Sequence, residues 1–204
     1  MTPRLLPAEL RTERLLLRQF RPDDAEALAE IYAQPEYLEH MPPLDLDGTR
    51  AQLERFATMW EDDGHGQWAA VDPESGLLIG RIGILRHHDW PLEPHDPPEV
   101  GWVLHRDWWG RGLATEGGLA SLECWREHLP AEPRLYSFTT PANVRSRAVM
   151  ERLGMHRDPK DDFGHERLGR QHPLYHHVLY RIRRDEWLTR REPGAAGRAA
   201  GSPT

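Results

Sequence analysis

Residues 99–117 consist of an apolar run, a turn with two glycines and a helix-compatible segment, one directly after the other. The run leads into Trp108-Trp109-Gly110-Arg111-Gly112, and small or helix-forming residues follow from position 113. This order predicts a strand, a tight loop and a helix N-terminus, where free backbone N–H groups and the helix dipole point to one place. Such a junction binds anions, and phosphate above all. We therefore expect the chain to bind a small molecule that carries phosphate.

The loop lacks the residues that would assign it to either of two common phosphate-binding motifs. A P-loop requires a lysine after its last glycine, and neither Gly110 nor Gly112 is followed by one. The dinucleotide fingerprint G-x-G-x-x-G requires glycine where this chain has Thr115, although Gly117 and Gly118 lie close by. Taken alone, the loop is compatible with phosphate binding and equally with a simple glycine turn.

Length and composition exclude several classes of protein. The 204 residues suit one domain with a substantial core. A formal net charge of −7 argues against nucleic acid as the main partner, because phosphate backbones require a concentrated basic surface. The one cysteine, Cys124, excludes a disulfide framework, and no apolar run is long enough to span a membrane. We expect a cytoplasmic protein that binds neither nucleic acid nor membrane.

Hydrophobic periodicity and turn residues predict an α+β fold with one mixed, mostly antiparallel sheet. A loose leader is expected over 1–9, a single domain over 10–190 and a disordered tail over 191–204. Prolines make 86–98 a loop, because proline cannot serve in a central strand. The predicted strands are 12–19, 67–71, 77–85, 99–105, 135–139 and 177–183, and the predicted helices lie near 21–34, 49–62, 112–128 and 143–153.

Two segments that flank the glycine loop complete a recognisable set. The first is Leu10-Arg11-Thr12-Glu13-Arg14-Leu15-Leu16-Leu17-Arg18, and the second is Thr140-Pro141-Ala142-Asn143-Val144-Arg145-Ser146, continuing to Leu153-Gly154-Met155. With the loop between them, they resemble the GCN5-related N-acetyltransferases (GNATs), in particular the branch that acetylates N-terminal amines of ribosomal proteins. The resemblance covers about residues 10–188.

This resemblance implies a V-shaped splay between the strands near 99–105 and 135–139, into which acetyl-coenzyme A enters. Main-chain groups of Val103 and Leu104 are expected to contact the pantetheine arm and to supply an oxyanion donor. The side chain of Asn143 is expected to bond the pantetheine amides, or alternatively to cap the following helix. The residues expected around the pyrophosphate are Trp109, Gly110, Arg111, Gly112, Leu113, Ala114 and Thr115.

Two residues are candidates for the chemistry of acyl transfer. Glu99 opens the strand that leads to the thioester and is the candidate general base; the alternative is a solvated carboxylate at a strand end. The family's common general acid is a tyrosine, and the corresponding residue here is Met150, which has no proton to donate. Ser146 is the nearest substitute, although it is equally suited to capping a helix, and solvent is a further source of the proton.

The sequence thus predicts an N-acetyltransferase that acts by direct attack of an amine on the thioester in a ternary complex. The acceptor is a protein N-terminus or a small-molecule amine, and the protein is a monomer or a homodimer. The alternative is a non-catalytic sensor or interaction module that binds acetyl-coenzyme A. No metal is expected, because the scattered histidines match no ligand motif.

Overall fold

The computed structural model of the protein describes residues 6–87 and 98–191. Within these ranges the chain forms nine strands and six helices. The strands are β1 (Glu9–Arg11), β2 (Leu16–Arg18), β3 (Gln67–Val71), β4 (Leu78–Arg86), β5 (Pro98–Leu104), β6 (Arg134–Thr139), β7 (His156–Arg157), β8 (Phe163–Gly164) and β9 (His176–Arg183). The helices are α1 (Ala25–Tyr32), α2 (Pro35–Leu38), α3 (Leu46–Asp62), α4 (Leu113–His128), α5 (Val144–Arg152) and α6 (Arg184–Arg191).

The strands follow the order β1-β2-β3-β4-β5-β6-β9-β7, with β8 paired to β9. Among the described strands, β5 and β6 form the one parallel pair, and they meet at a single position, where Glu99 lies opposite Tyr136. Beyond that position no residues of the two strands pair. Because the two strands pair only near the start of β5, the sheet is open between their carboxyl ends, and this is where the family resemblance implied a V-shaped opening.

Helices cover both faces of the sheet and bury two separate apolar clusters. The larger cluster lies against α4 and α5 and contains Trp68, Ile82, Leu122 and Trp125, each fully buried. The smaller cluster holds α1 and α3 against the opposite face. Since complete burial of one large apolar side chain stabilises the fold by about 1.5–3 kcal/mol, these two clusters fix the sheet around the opening.

Helix α4 packs closely on two neighbours because it carries two glycines, Gly117 facing β4 of the sheet and Gly118 facing the end of α5. A Cβ at Gly117 would lie 2.5 Å from Cδ1 of Ile82, and a Cβ at Gly118 would lie 2.8 Å from Cδ1 of Leu153. Both distances are shorter than any van der Waals contact between carbon atoms. The two glycines therefore set the position of the helix that begins at the loop.

Most predicted elements are confirmed, with boundaries that move by one to three residues. The hairpin of β3 and β4, the strands β5, β6 and β9, and the helices α3, α4 and α5 all form where periodicity placed them. The sheet is mixed and mostly antiparallel, as expected. Most of the loop predicted over 86–98 lies outside the described residues, as does the tail beyond residue 191.

One predicted strand was wrong. Residues 12–19 do not form one strand: a tight turn, in which the Thr12 N–H donates to the Leu15 carbonyl at 2.9 Å, divides β1 from β2. In the segment expected to be a loose leader, Leu6 is 4% exposed and its N–H donates to the Gly64 carbonyl. Helix α6 was not foreseen; it buries Trp187 against the larger cluster.

Candidate active site

The glycine loop has the backbone geometry that its sequence predicted. Gly110 and Gly112 adopt φ of +74° and +80°, a region that residues with a Cβ rarely occupy. Gly112 is the N-cap of α4, and the Glu116 N–H donates to the Gly112 carbonyl at 3.0 Å. The N–H groups that precede Glu116 in the first turn have no intrahelical acceptor, as at any helix start. The loop therefore presents donors to an anion.

An ion pair from the N-terminal turn holds the loop in place. Both the main-chain N–H and Nε of Arg14 donate to the Glu116 carboxylate, at 2.8 and 2.7 Å, and Nη1 of Arg14 donates to the Arg111 carbonyl at 2.8 Å. The Thr12 hydroxyl donates to the same carboxylate at 2.6 Å. Burial alone would raise the pKa of Glu116, but the donors from Thr12 and Arg14 outweigh it and lower the pKa.

The main chain of β5 borders the V-shaped opening on one side. The His105 N–H donates to the Ile79 carbonyl at 2.8 Å, so that N–H groups at alternate positions, including Val103, are directed into the ladder with β4. Leu104 has the opposite orientation, and its carbonyl accepts a hydrogen bond from Nε1 of Trp109 at 2.8 Å. Of the two residues predicted to contact the pantetheine, Leu104 is thus the one whose main chain faces the opening.

The helix on the other side of the opening is anchored by Asn143. Its Oδ1 accepts from the Ser146 N–H at 3.1 Å, and its Nδ2 donates to Oγ1 of Thr139 at 3.0 Å, so that Asn143 is the N-cap of α5. Ser146 is half-buried on the same first turn. Met150 is 1% exposed and packs in the larger cluster, which removes it from any contact with a ligand.

Two aromatic residues connect the loop to its surroundings. The guanidinium of Arg145, in the first turn of α5, lies 5.0 Å from the ring centroid of Trp109, and that of Arg111 lies 4.7 Å from the ring of Trp108. Trp109 therefore links the glycine loop to α5 across the opening. Asp107, which lies beside the loop, points to solvent with 70% of its side chain exposed, so its carboxylate is turned away from an anion on the loop.

The segment 34–40, which contains α2, extends over the same opening. Nη1 of Arg106 forms an ion pair with Glu36 at 2.6 Å, and the Arg106 N–H donates to Oε1 of Gln34 at 3.0 Å. Nδ1 of His40 lies 2.9 Å from Oγ1 of Thr140, the residue that follows β6. This segment thus contacts both sides of the V and limits access to it from the α1 and α3 face.

Glu99 lies at the point where β5 and β6 separate and is paired with a histidine. Nε2 of His87 is 2.5 Å from Oε2 of Glu99, and the Glu99 side chain is 12% exposed. The carboxylate is thus largely withdrawn from water and within hydrogen-bond distance of an imidazole, which is the geometry required of a candidate general base. The solvated carboxylate that was the alternative for Glu99 therefore does not describe this residue.

A polar row continues from Glu99 across the same face of the sheet. Nη1 of Arg81 donates to Oε1 of Gln67 at 3.1 Å, and Nε of Arg81 donates to the Tyr32 hydroxyl at 2.8 Å. A Cβ at Gly101 would lie 3.4 Å from Oε1 of Glu99 and 3.5 Å from Nε2 of Gln67. The missing side chain therefore leaves a notch directly in front of the Glu99 carboxylate.

The charge of Arg81 is retained although the side chain is buried. Burial lowers its pKa, but the nearby Tyr32, Tyr37 and Glu99 oppose this effect and the pKa is raised overall. The same burial raises the pKa of Tyr37 and of Tyr32, so both phenols stay neutral. A fixed positive charge thus faces the side of the sheet on which Glu99 lies.

Sequence reasoning identified the loop but missed His87, Arg14, Glu116 and Arg81 as parts of the site. His87 was considered only as a metal ligand. Within the residues that the structure describes, no group of three or more histidine, cysteine, aspartate or glutamate side chains is arranged to hold a metal ion. None of the helices in those ranges has both the length and the apolar character needed to cross a membrane.

Comparisons with known proteins identify one family over most of the chain. The family model described as the acetyltransferase (GNAT) domain matches residues 14–156. A relative from Bacillus subtilis (strain 168), the uncharacterized N-acetyltransferase YnaD, is 24% identical over 86% of this chain and 97% of its own length.

Solved structures share the architecture. The acetyltransferase from Agrobacterium tumefaciens str. C58 superimposes with a TM-score of 0.67 and 33% identity, covering 85% of this chain and 93% of that one. A ribosomal L7/L12 alpha-N-protein acetyltransferase, RimL, solved in complex with coenzyme A, gives a TM-score of 0.67 at 13% identity, over 89% of this chain and 99% of that one. The latter likeness concerns the fold alone.

Proposed function

The chain belongs to the GNAT acetyltransferase family and is an acyltransferase, and on that premise we propose that it transfers an acetyl group from acetyl-coenzyme A to a primary amine in a ternary complex. The observation that carries the proposal is that β5 and β6 pair only at Glu99, which leaves the sheet open toward the glycine loop that follows β5. One molecule of acetyl-coenzyme A would then have its thioester in the opening and its pyrophosphate on the loop. The non-catalytic alternative is set aside because the family is one of acetyltransferases.

The residues at the loop fit a pyrophosphate. A Cβ at Gly110 would meet no protein atom within 4 Å, so the space in front of the loop is open, and the first N–H groups of α4 are directed to the helix start. Trp109, Arg111, Leu113, Ala114 and Thr115 supply the rest of this backbone. When bound, acetyl-coenzyme A supplies the thioester, and the N–H of Leu104 is placed to donate to the carbonyl oxygen that gains negative charge.

Glu99 and His87 are proposed to act together as the general base. An ammonium acceptor must lose a proton before it attacks, and the carboxylate of Glu99 is placed to receive it with His87 hydrogen-bonded behind. Positioned base catalysis contributes about 10²–10⁴-fold in rate. The departing thiolate takes its proton from Ser146 or from solvent, because Met150 is buried and has none to give.

The acceptor class rests on the surroundings of Glu99. A carboxylate beside the Gly101 notch attracts a cationic amine, which both a protein N-terminus and a small-molecule amine provide. An alpha-N-protein acetyltransferase of ribosomal L7/L12 is among the similar folds, which supports a protein N-terminus as one candidate acceptor. We also propose a cytoplasmic location. We propose a soluble enzyme with no metal and no nucleic acid partner, active as a monomer or homodimer.

Calorimetric titration with acetyl-coenzyme A tests the loop with a matched pair of variants. Gly110 and Gly76 have nearly the same φ, +74° and +73°, and neither has a protein atom within 4 Å of an added Cβ. Gly110→Trp and Gly76→Trp therefore carry the same backbone strain, but only the first blocks the loop. We expect wild type and Gly76→Trp to bind with micromolar Kd, and Gly110→Trp to bind at least about 10-fold more weakly.

Two results would contradict the proposal. Absence of binding to folded wild type, verified by thermal unfolding, would remove acetyl-coenzyme A from the function. Equal loss of affinity in Gly110→Trp and Gly76→Trp would show that the loop is not the binding site, because the strain common to both variants would then explain the loss.

A further inference from the structure

Glu116 places a negative charge in the first turn of α4, close to the glycine loop. Its N–H donates to the Gly112 carbonyl, so the N–H groups that are free to bind an anion end one residue before it. Its side chain is 15% exposed. The helix dipole favours a carboxylate in this turn, but an anionic ligand at the same helix terminus is repelled by that carboxylate. The loop therefore contains a charge that opposes the binding of phosphate.

Donors from the turn between β1 and β2 keep this carboxylate ionised. The Thr12 hydroxyl and the Arg14 N–H donate to its Oε1 at 2.6 and 2.8 Å, and Nε of Arg14 donates to its Oε2 at 2.7 Å. Burial raises the pKa of Glu116, but these hydrogen bonds and the charge of Arg14 lower it overall. Glu116 thus joins the N-terminal turn to α4, and its negative charge is present at neutral pH.

The guanidinium of Arg14 contacts both this carboxylate and the backbone of the loop. Nη2 forms an ion pair with Oε2 of Glu116 at 2.6 Å, and Nη1 donates to the Arg111 carbonyl at 2.8 Å. Nη2 also lies 3.5 Å from the position that a Cβ on Gly112 would take. The positive charge is therefore held at the edge of the loop, against the negative charge that would repel a ligand there.

Two other arginines near the loop have different surroundings. The guanidiniums of Arg111 and Arg145 lie 4.7 and 5.0 Å from the centroids of tryptophan rings. Within the described residues, no hydrogen bond or ion pair joins either of them to Glu116. Their charge remains available to a ligand, whereas the charge of Arg14 is neutralised by Glu116.

We propose that Arg14 is a positioning residue of the glycine loop, and that it cancels the charge of Glu116 so that the loop can hold a pyrophosphate. Without the guanidinium, a carboxylate that is largely withdrawn from water would repel the ligand, and such repulsion is stronger at a partly buried site than in bulk water. The inference rests on the proposed binding of acetyl-coenzyme A, and it adds a residue outside the loop on which that binding depends.

Single substitutions at the two residues test the inference in calorimetric titrations with acetyl-coenzyme A at low ionic strength, where charges are least screened. Arg14→Met removes the cation and is expected to raise Kd by at least about 10-fold. Arg14→Lys keeps the charge and is expected to stay within about three-fold of wild type. Glu116→Gln keeps the size of the side chain but removes the repelling charge, so it is expected to bind at least as tightly as wild type.

The double variant Arg14→Met/Glu116→Gln separates charge compensation from simple bracing of the loop. Charge compensation predicts that the double variant binds at least about three-fold more tightly than Arg14→Met, because the unpaired carboxylate is gone. Bracing alone predicts that each single substitution weakens binding and that the double variant is no better than Arg14→Met. Thermal unfolding verifies that each variant is folded, and if Arg14→Met is not, the direction of the change in Glu116→Gln decides between the two.

Arg126→Met is the matched control, because Arg126 pairs with Glu123 at 2.8 Å toward the other end of the same helix, and we expect it to bind like wild type. If Arg14→Met also binds like wild type, or if Glu116→Gln weakens binding, this inference is wrong while the proposed function stands. If wild type binds no acetyl-coenzyme A, the proposed function fails first and this inference with it.

Discussion

At the scale of single residues, the surroundings of Glu99 set it apart from other carboxylates at strand ends. Its main chain makes the single pairing of β5 with β6, and its carboxylate contacts the His87 imidazole. Gly101, two positions later, leaves space in front of the carboxylate. A carboxylate at a strand end would ordinarily be solvated. The neighbours of this one withdraw it from water and give it a hydrogen-bonded partner, the His87 imidazole.

Replacement of Glu99 by glutamine tests its role directly. Glu99→Gln keeps the size and a hydrogen bond to His87 but removes the basic oxygen, so we expect kcat to fall by about 10²–10⁴-fold with an unchanged Kd for acetyl-coenzyme A. Steady-state kinetics over pH 6–9 and calorimetry provide the two measurements.

The control is Glu127→Gln, at an exposed glutamate near the end of α4, which we expect to leave kcat unchanged. Retention of wild-type kcat and of its pH dependence in Glu99→Gln would exclude Glu99 from proton transfer. A parallel loss of affinity for acetyl-coenzyme A would indicate a structural role for the residue.

At the scale of elements, the glycine loop and α4 act as one unit. The position of the loop depends on how deeply α4 packs against β4, which Gly117 sets, and against the end of α5, which Gly118 sets. Arg14 and Glu116 then fix the loop from the N-terminal turn. Loop geometry is therefore determined by packing below it as well as by its own glycines.

Substitution of Gly117 by alanine tests this coupling. The added Cβ would lie 2.5 Å from Ile82, a side chain with no exposed surface and hence no space to move. Overpacking of this kind costs about 1–3 kcal/mol, against roughly 1 kcal/mol gained from the higher helix propensity of alanine. We expect a net loss of stability in urea unfolding and weaker binding of acetyl-coenzyme A.

Gly76→Ala serves as the comparison for binding, because its Cβ meets open space in a different turn of the chain. Since Gly76 has φ of +73°, any stability that this variant loses comes from backbone strain and not from overpacking. A Gly117→Ala protein that is as stable as wild type and binds acetyl-coenzyme A normally would show that the helix can shift without effect on the loop.

At the scale of the whole molecule, buried histidines couple stability to pH. The pKa values of His40, His65, His165 and His177 are all lowered, in each case chiefly by burial, and that of His177 reaches about 4. The unfolded chain binds protons near the ordinary histidine value of about 6.5. Between these two values the unfolded state holds more protons than the folded state, so stability decreases as pH falls.

We therefore expect full histidine-linked stability above about pH 6.5 and a progressive loss below it, toward pH 4 for His177. Urea unfolding midpoints at pH 7, 6 and 5 measure this loss above the range in which carboxylates titrate. His177→Gln should have a flatter dependence, and the more exposed His156→Gln should follow wild type. If the unfolding midpoint changes with pH by the same amount in His177→Gln and in wild type, His177 does not contribute to the pH dependence of stability.

The sequence by itself determined the features that depend on near neighbours along the chain. Two glycines with positive φ followed by a helix start, the hairpin of β3 and β4, and the N-cap at Asn143 are all local, because turn and capping preferences act over a few residues. Resemblance to a family added the opening between β5 and β6, which no local preference encodes.

Tertiary structure alone decided the contacts that join distant residues. Arg14 and Glu116 are 102 residues apart, and the ring of Phe138 meets those of His87 and Phe163 only because β4, β6 and β8 are brought to one face of the molecule. Burial of Met150 and of Arg81 likewise depends on which face of a helix or strand the assembled sheet covers. The direction of a side chain follows from its local backbone, but its partner follows only from how the elements pack.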